Sequence, residues 1–475
     1  MLKYSKRNGI SAVAFSSFDT LLAPFIKEDN LSYEQVKQHM QNFIFSINSN
    51  SRGGAEPAFS NLTLDLTAPN DLLNENALCG GNILDYTYGS CQKEMDMINK
   101  AFYELMIKGD ANKKPFAYPI PTYNIHKRFD WDNPNNNLLW EMAGKFGYPY
   151  FANYLNSDMN PEDARSMCCR LMINKKELLK KNGGLFGSGD STGSVGVVTV
   201  NLPRLAYINK GNKSRFYKEL DRTLDLAKES LEMKREFLQK NILDKGLIPA
   251  YSTYVGTLNN HFSTIGIIGL NEMCENFLDK DILDNEGKIF AIEICNYIRN
   301  KLISYQEETG NLYNFEATPA ESTCYRLAKK DKEEFEDIIT RGTKDSPYYT
   351  NSCHIPVDKV TDIKQIFDHQ DDLQTLFTGG TVIHLFMGSP ITGEQAKHIV
   401  RTACTNYKSP YISIAPLNHY CPNHGYIARA VDKCPECGAD IEKLQKITGY
   451  LRQVKFYNDG KKAEFDERKQ LKYED

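Results

Sequence analysis

A chain of 475 residues, 41% hydrophobic and 25% charged, has the composition of an ordinary globular protein and is long enough for two or three domains or one large barrel. A formal net charge of -4, with no block rich in Lys and Arg, leaves no general basic surface for nucleic acid, so no nucleic-acid partner is expected. No uninterrupted apolar run approaches membrane-spanning length and the basic start MLKYSKRNGISAVAF precedes no apolar leader, so no membrane partner is expected and the predicted location is cytoplasmic.

Residues 1 to about 50 read as helices: an apolar segment through Phe18 and Leu22, a break at Pro24, then LSYEQVKQHMQNFIFSIN with apolar residues at helical spacing. FSNLTLDL alternates apolar and polar residues and predicts a strand opening onto a loop at Ala68 to Asp71. QKEMDMINKAFYELMIK, Gln92 to Lys108, is an amphipathic helix whose methionines are core filler. PFAYPIPTYNI reads as strand text broken by prolines, and Tyr150 to Leu155 as a short apolar strand. Short apolar runs then alternate with long helical stretches such as Arg215 to Gln239, which predicts an α/β class. Cys274, Cys295 and Cys404 sit in amphipathic helical text and read as small core residues.

The glycine- and serine-rich run GGLFGSGDSTGSVG, before the strand text VGVVTVNL, has neither phosphate-loop nor dinucleotide spacing. It reads as a loop, packed or lining a site. The vicinal pair Cys168-Cys169 follows NPEDAR; adjacent cysteines do not bridge in relaxed geometry, so the pair is either buried filler or reactive. In ATPAES, Glu321 is either a helix-start carboxylate or, if partly buried, an acid or base; the same helix start and the glycine-loop amides are candidate phosphate contacts.

Near the C-terminus, Cys421 and His424 form a C-x-x-H knuckle and Cys434 and Cys437 a C-x-x-C knuckle, each with Pro and Gly to turn the backbone. Two such knuckles close a tetrahedral zinc shell, and a shell with no open position is structural. Asp432, Glu436, Asp440 and Glu442 accompany Arg429, Lys433 and Lys443, so this module lacks the basic face of a nucleic-acid-binding ribbon. In KITGYLRQVKF, Gly449 stands among apolar and aromatic neighbours rather than in a polar turn cluster. It serves either backbone freedom or radical chemistry, because glycine alone lets a Cα radical lie flat in conjugation with both flanking peptides. The charged end KKAEFDERKQLKYED reads as a solvated tail.

The glycine text after a knuckle pair resembles the C-terminus of anaerobic (class III) ribonucleoside-triphosphate reductases, a glycyl radical enzyme family. Similar text runs through most of the chain: AFSSFDTLLAPF, FSNLTLDLTAP, PIPTYNIHKRFDWD, ARSMCCRL, GGLFGSGDSTGSVGVVTVNLPR, NHFSTIGIIGLNE, YQEETGNLYNFEATPAE and YYTNSCHIPV. The resemblance implies a partial ten-stranded α/β barrel of the glycyl-radical type over residues 1-414 and a zinc and glycyl-radical module over residues 415-475. It implies reduction of ribonucleoside triphosphates to 2'-deoxyribonucleoside triphosphates for DNA synthesis. Gly449 would store the radical, installed by a radical-SAM activating enzyme using S-adenosylmethionine and an iron-sulfur cluster. Cys169, directly before the arginine, would be the thiyl residue, with Cys168 second, and Glu321 would manage the proton lost with the 2'-hydroxyl. A homodimer and a thioredoxin-like reductant are also implied; Ser194 stands where formate-using members carry asparagine. The family is longer at the N-terminus, and neither Cys79 nor Cys91 matches its reducing cysteine, so this chain alone is expected to turn over poorly. A pyruvate formate-lyase type enzyme and a zinc-binding scaffold, inactive or split, are the competing expectations.

Overall fold

The strand Phe59–Leu64 realises the alternation of FSNLTL by placing its two sets of side chains on opposite faces. Leu62 and Leu64 enter a buried apolar cluster with residues of the surrounding helices, whereas Asn61 and Thr63 occupy the other face and are buried too. This description rests on a computed structural model and covers residues 12–49, 59–157, 164–166, 172–174, 192–427 and 430–473, with backbone only for 164–166, 172–174, 250 and 254.

Six strands form one sheet in the order Ala12–Phe15, Phe59–Leu64, Ile120–Ile125, Tyr150–Asn153, Tyr411–Pro416, Ile383–Met387. All neighbours run parallel except Tyr150–Asn153 against Tyr411–Pro416. A second sheet is fully parallel, with His261–Ile268 between Gly193–Asn201 and Leu312–Glu316. A parallel bridge from Glu316 to Gly379 links its edge to the segment that leads into Ile383–Met387. Parallel strands need crossovers, and helices supply them: Gln92–Lys108, Lys213–Leu238, Asn285–Thr309 and Gly393–Asn406 among others.

The helices cover one face of each sheet. Ile26, Ile44, Phe102, Trp140 and Val400 meet Leu62, Tyr123, Leu385 and Ile412 in one core. Phe216, Leu224, Ile294 and Ile298 meet Ile265, Ile267, Tyr313 and Phe315 in another. The opposite faces carry polar residues that are nonetheless buried: Asn61, Thr122, Asn124, Ser413, Thr264, Asn314 and Glu316. Asn61 Nδ2 donates to Thr122 Oγ1 at 3.0 Å, and Thr264 Oγ1 donates to Asn314 Oδ1 at 2.5 Å, so these pairs bond across neighbouring strands. No helix among the described residues is long and apolar enough to cross a membrane.

The α/β class expected from the sequence is what the structure has, and the helices Gln92–Lys108 and Lys213–Leu238 fall where the periodicity placed them. Cys274, Cys295 and Cys404 are fully buried in helices. Three local expectations are corrected. Ala12–Phe15 is an edge strand rather than helix, paired to Phe59–Leu62. Pro24 does not break its helix, which runs from Phe18 to Glu28; one backbone bond is lost, but Pro24 is buried, and packing holds the turn. The expected loop at Ala68 to Asp71 leads into one helical turn, Asn70–Leu73.

The largest correction concerns the charged C-terminus, which is no solvated tail. Asp459–Glu467 is a helix, and Leu471 is buried, its amide bonded to the Phe386 carbonyl at 2.8 Å. Lys461, Glu464 and Arg468 are buried together because they neutralise one another. Lys461 Nζ and Arg468 Nη2 both donate to the Glu464 carboxylate, the latter at 2.8 Å. Burial alone would raise the Glu464 carboxyl, but Lys461 and Arg468 bring it below the ordinary value. Its contribution to stability is therefore present above the unfolded carboxylate range and is lost as the pH falls through the lower folded value. Glu464→Gln strands two buried cations and is expected to lower unfolding stability by about 3 kcal/mol at neutral pH, read from denaturant midpoints.

Candidate functional site

The strand Asn418–Cys421 turns through the first knuckle into Gly425–Ile427, with Cys421 paired opposite Gly425. Gly425 has φ +83°, a conformation glycine adopts without strain, and a Cβ there would also meet Lys113 Cβ at 2.8 Å. In the second knuckle the Cys434 amide donates to the Ala439 carbonyl at 2.8 Å and the Gly438 amide to the Cys434 carbonyl at 2.9 Å. The two turns bring the ligand atoms of Cys421, His424, Cys434 and Cys437 within 4.8 Å of one another. Cys421 Sγ lies 3.6 Å from Cys437 Sγ, and His424 Nδ1 lies 3.4 Å from Cys434 Sγ and 3.8 Å from Cys421 Sγ. Zn–S bonds of ~2.3 Å at tetrahedral angles require edges of roughly 3.5 to 3.8 Å, so these residues fit a zinc ion.

The surroundings favour the thiolate at two of the four residues, Cys434 and Cys437. Burial works against ionising Cys434, but His424 and the amides of Cys437 and Glu436 bring its thiol down to about 6. Asn423 and the Ala439 amide hold Cys437 down, while burial pushes Cys421 up. Glu436 stands 3.7 Å from His424 Nε2, where a carboxylate orients a ligating imidazole through its other nitrogen.

From Cys421 the sheet leads to the glycine. Asn418–Cys421 pairs with Glu442–Lys446, which pairs in turn with Leu451–Gln453. The Ile447 amide bonds the Tyr450 carbonyl at 3.2 Å, so Thr448 and Gly449 form the tip of a tight hairpin. Gly449 is half-buried there. Its carbonyl accepts a 2.6 Å hydrogen bond from Tyr150 Oη. Tyr450 packs on Phe59 and Tyr118, with ring centroids 6.0 and 6.3 Å away, in a cluster with Ile120, Tyr150, Ala152 and Tyr411 on the face of the six-stranded sheet away from its helices.

Glu321 begins the helix Glu321–Glu334, as its helix-start sequence implied, and the fold brings it to this hairpin. Arg452 Nη1 donates to Glu321 Oε1 at 3.4 Å and to Tyr450 Oη at 2.8 Å, and Tyr450 Oη donates to Glu321 Oε2 at 3.3 Å. The carboxylate is half-buried and partnered rather than alone in apolar surroundings. Burial, then the Glu321 charge, pushes the Tyr450 phenol up.

Cys168 and Cys169 lie outside the described residues, as does most of the glycine-rich run; backbone pairing of Ala164–Ser166 with Met172–Asn174 flanks the cysteine pair. Ser194 is exposed, its Oγ 3.3 Å from Thr264 Oγ1. The sequence reading missed Tyr150, Lys446 and Arg468. Tyr150 lay in an apolar run with nothing to distinguish it, and Arg468 lay in the supposed tail. Tyr450 and Arg452, one step either side of Leu451 in the glycine text, were within reach of closer reading.

Comparison with known proteins bears on this arrangement. The family profile described as anaerobic ribonucleoside-triphosphate reductase matches residues 2–471. Among curated relatives, the Escherichia coli anaerobic ribonucleoside-triphosphate reductase is 25% identical over 79% of this chain and 56% of its own length. The Haemophilus influenzae enzyme of that name is 24% identical over 95% of this chain and 67% of its own length, and that of phage T4 is 24% identical over 94% and 73%. The chain thus spans just over half of the Escherichia coli protein. A solved anaerobic ribonucleotide reductase superposes with a TM-score of 0.78 at 20% identity, covering 100% of this chain and 74% of that one. The Thermotoga maritima enzyme in complex with dATP and CTP superposes at 0.74 and 20% identity, covering 98% and 75%; these likenesses concern the fold.

Proposed function

The chain belongs to the anaerobic ribonucleoside-triphosphate reductase family, and on that premise we propose that it converts ribonucleoside triphosphates to 2'-deoxyribonucleoside triphosphates by glycyl and thiyl radical chemistry. The observation that carries this reading is the placement of Gly449 at a hairpin tip on the polar inner side of the sheets, beside Glu321. On this reading the two sheets belong to the wall of a barrel supplied by residues 1–414, and residues 415–475 would carry the glycine to its interior. Zinc, held by Cys421, His424, Cys434 and Cys437, fills a closed shell and contributes folding energy rather than a reaction step.

A radical-SAM activating enzyme removes the Gly449 Cα hydrogen, and the radical rests there because both neighbouring peptides share it. Cys169, with Cys168 second, supplies the thiol: its S–H hydrogen passes to Gly449, and the thiyl takes the substrate 3'-hydrogen. Glu321 handles the proton that leaves with the 2'-hydroxyl as water. Two electrons from a dithiol reductant of the thioredoxin type complete the reduction, and the 3'-hydrogen then returns from the cysteine. Nucleotides are bound by the solved Thermotoga maritima relative, which supports triphosphates as the substrate class here. A homodimer in the cytoplasm is the proposed working form.

The experiment is anaerobic conversion of a labelled ribonucleoside triphosphate by activated chain with a thioredoxin-type dithiol or formate supplied. Deoxyribonucleotide formed to about one equivalent per activated chain, with little turnover beyond it, is the expected result. A chain that binds zinc, carries no radical and makes no product is instead the scaffold. The pyruvate formate-lyase reading is not favoured, because the profile match runs from end to end in a different family.

A further inference from the structure

Packing alone does not fix the Gly449 turn. A cavity of about 90 Å³ lies directly against Ile447 and Thr448, walled by Thr318, His354, Val360, His384 and Arg468, so one flank of the turn has few atoms to press on. Yet a Cα radical is shared with both flanking peptides only while their planes stay aligned. The turn is held instead by polar contacts to its carbonyls. Arg468 Nη1 donates to the Lys446 carbonyl at 3.3 Å and Nη2 to the Ile447 carbonyl at 3.2 Å. The guanidinium itself is fixed by Gln445 Oε1 at 2.9 Å and by the Phe386 ring, whose centroid is 3.8 Å away. The last carbonyl, that of Gly449, is taken by Tyr150 Oη at 2.6 Å. Lys446 Nζ sits 3.9 Å over the Tyr150 ring and is anchored by Ser413 Oγ at 2.5 Å and the Pro149 carbonyl at 3.2 Å.

We propose that Tyr150 is a positioning residue for Gly449: its phenol, held beneath the Lys446 ammonium, pins the carbonyl conjugated with the radical and keeps that peptide in plane. A phenolic O–H bond is stronger than the Cα–H bond of a peptide glycine. The hydrogen therefore stays on oxygen, and Tyr150 acts by hydrogen bonding without carrying the radical. The lysine charge over the ring favours donation by the phenol. The proposal rests on the reading of Gly449 as the radical residue.

The test is spectroscopic. Chain activated anaerobically in H2O and in D2O is examined by EPR and by electron-nuclear double resonance. Wild type is expected to show the glycyl doublet and, beside the couplings of the Gly449 and Tyr450 amide hydrogens, one further exchangeable deuteron coupled to it. Tyr150→Phe is expected to keep the doublet and its zinc, lose that deuteron coupling, and shorten the radical half-life by up to roughly tenfold, as loss of one net hydrogen bond implies. A doublet in wild type with no exchangeable coupling beyond those of the two amides overturns the proposal while leaving the function standing, and this needs no variant to fold. The same coupling surviving in Tyr150→Phe overturns it equally. Absence of any doublet in activated wild type overturns the radical reading and this proposal together.

Discussion

Gly449→Ala is expected to abolish the EPR doublet and to lower ribonucleotide turnover by roughly a thousandfold or more, equivalent to at least about 4 kcal/mol of lost transition-state stabilisation. The methyl group crowds the neighbouring carbonyl and twists the peptide planes away from the alignment on which radical delocalisation depends. It also blocks the hydrogen abstraction that creates the radical, because alanine presents a more hindered Cα. The change should spare the rest of the molecule, since Gly449 is a half-buried tip residue and the zinc ligands lie elsewhere on the module. Near-normal zinc content and thermal midpoint, with neither doublet nor product, would separate a chemical defect from a folding one. Product formed by the alanine variant at a rate near wild type would refute Gly449 as the radical residue.

Removing the metal should have the largest structural effect. Cys434→Ser or a strong chelator is expected to strip zinc and unfold the C-terminal module, because binding energy in such sites, of order 10–16 kcal/mol in small zinc peptides, is largely folding energy. The consequence extends to the glycine. Cys421 ends the strand Asn418–Cys421, which pairs with Glu442–Lys446, and that strand is the first arm of the Gly449 hairpin. Metal loss frees the first arm, so radical yield is expected to fall with zinc occupancy in a chelator titration, while protease cleavage concentrates after about residue 417. A radical yield indifferent to zinc occupancy would uncouple the two.

Much of the candidate site was legible before the fold because the residues proposed for it are local in sequence. The four zinc ligands lie within two short knuckles, and the structure gathers their ligand atoms within 4.8 Å. Gly449 stood out by its apolar neighbours, and Glu321 by its helix-start text. What escaped notice was non-local or self-compensating. Tyr150 meets Gly449 across 299 positions, and no periodicity in PYFANYL signals that meeting. The charge pattern of KKAEFDERK argued for solvent because single charges seldom bury. Lys461, Glu464 and Arg468 bury as a set, and a pattern read one residue at a time misses a set. Pro24 misled for a similar reason: a local rule about backbone bonding yielded to burial of the residue itself.

The separations within the glycine's supports imply an order of assembly. Arg468 reaches the Ile447 carbonyl across only 21 positions, and the hairpin arms are closer still, so these contacts close quickly and can shape the turn by themselves. Tyr150 joins from 299 positions away. Loop-closure entropy grows only slowly, by about 0.6 kcal/mol per doubling of length, so this late union is affordable in free energy, but it is slow to find. The candidate centre is therefore expected to form late, where the Phe59–Leu64 sheet meets the hairpin that follows the knuckles. In refolding, zinc uptake should precede burial of the Tyr450 ring, and the delay between those two signals measures the time the glycine spends shaped but still unseated.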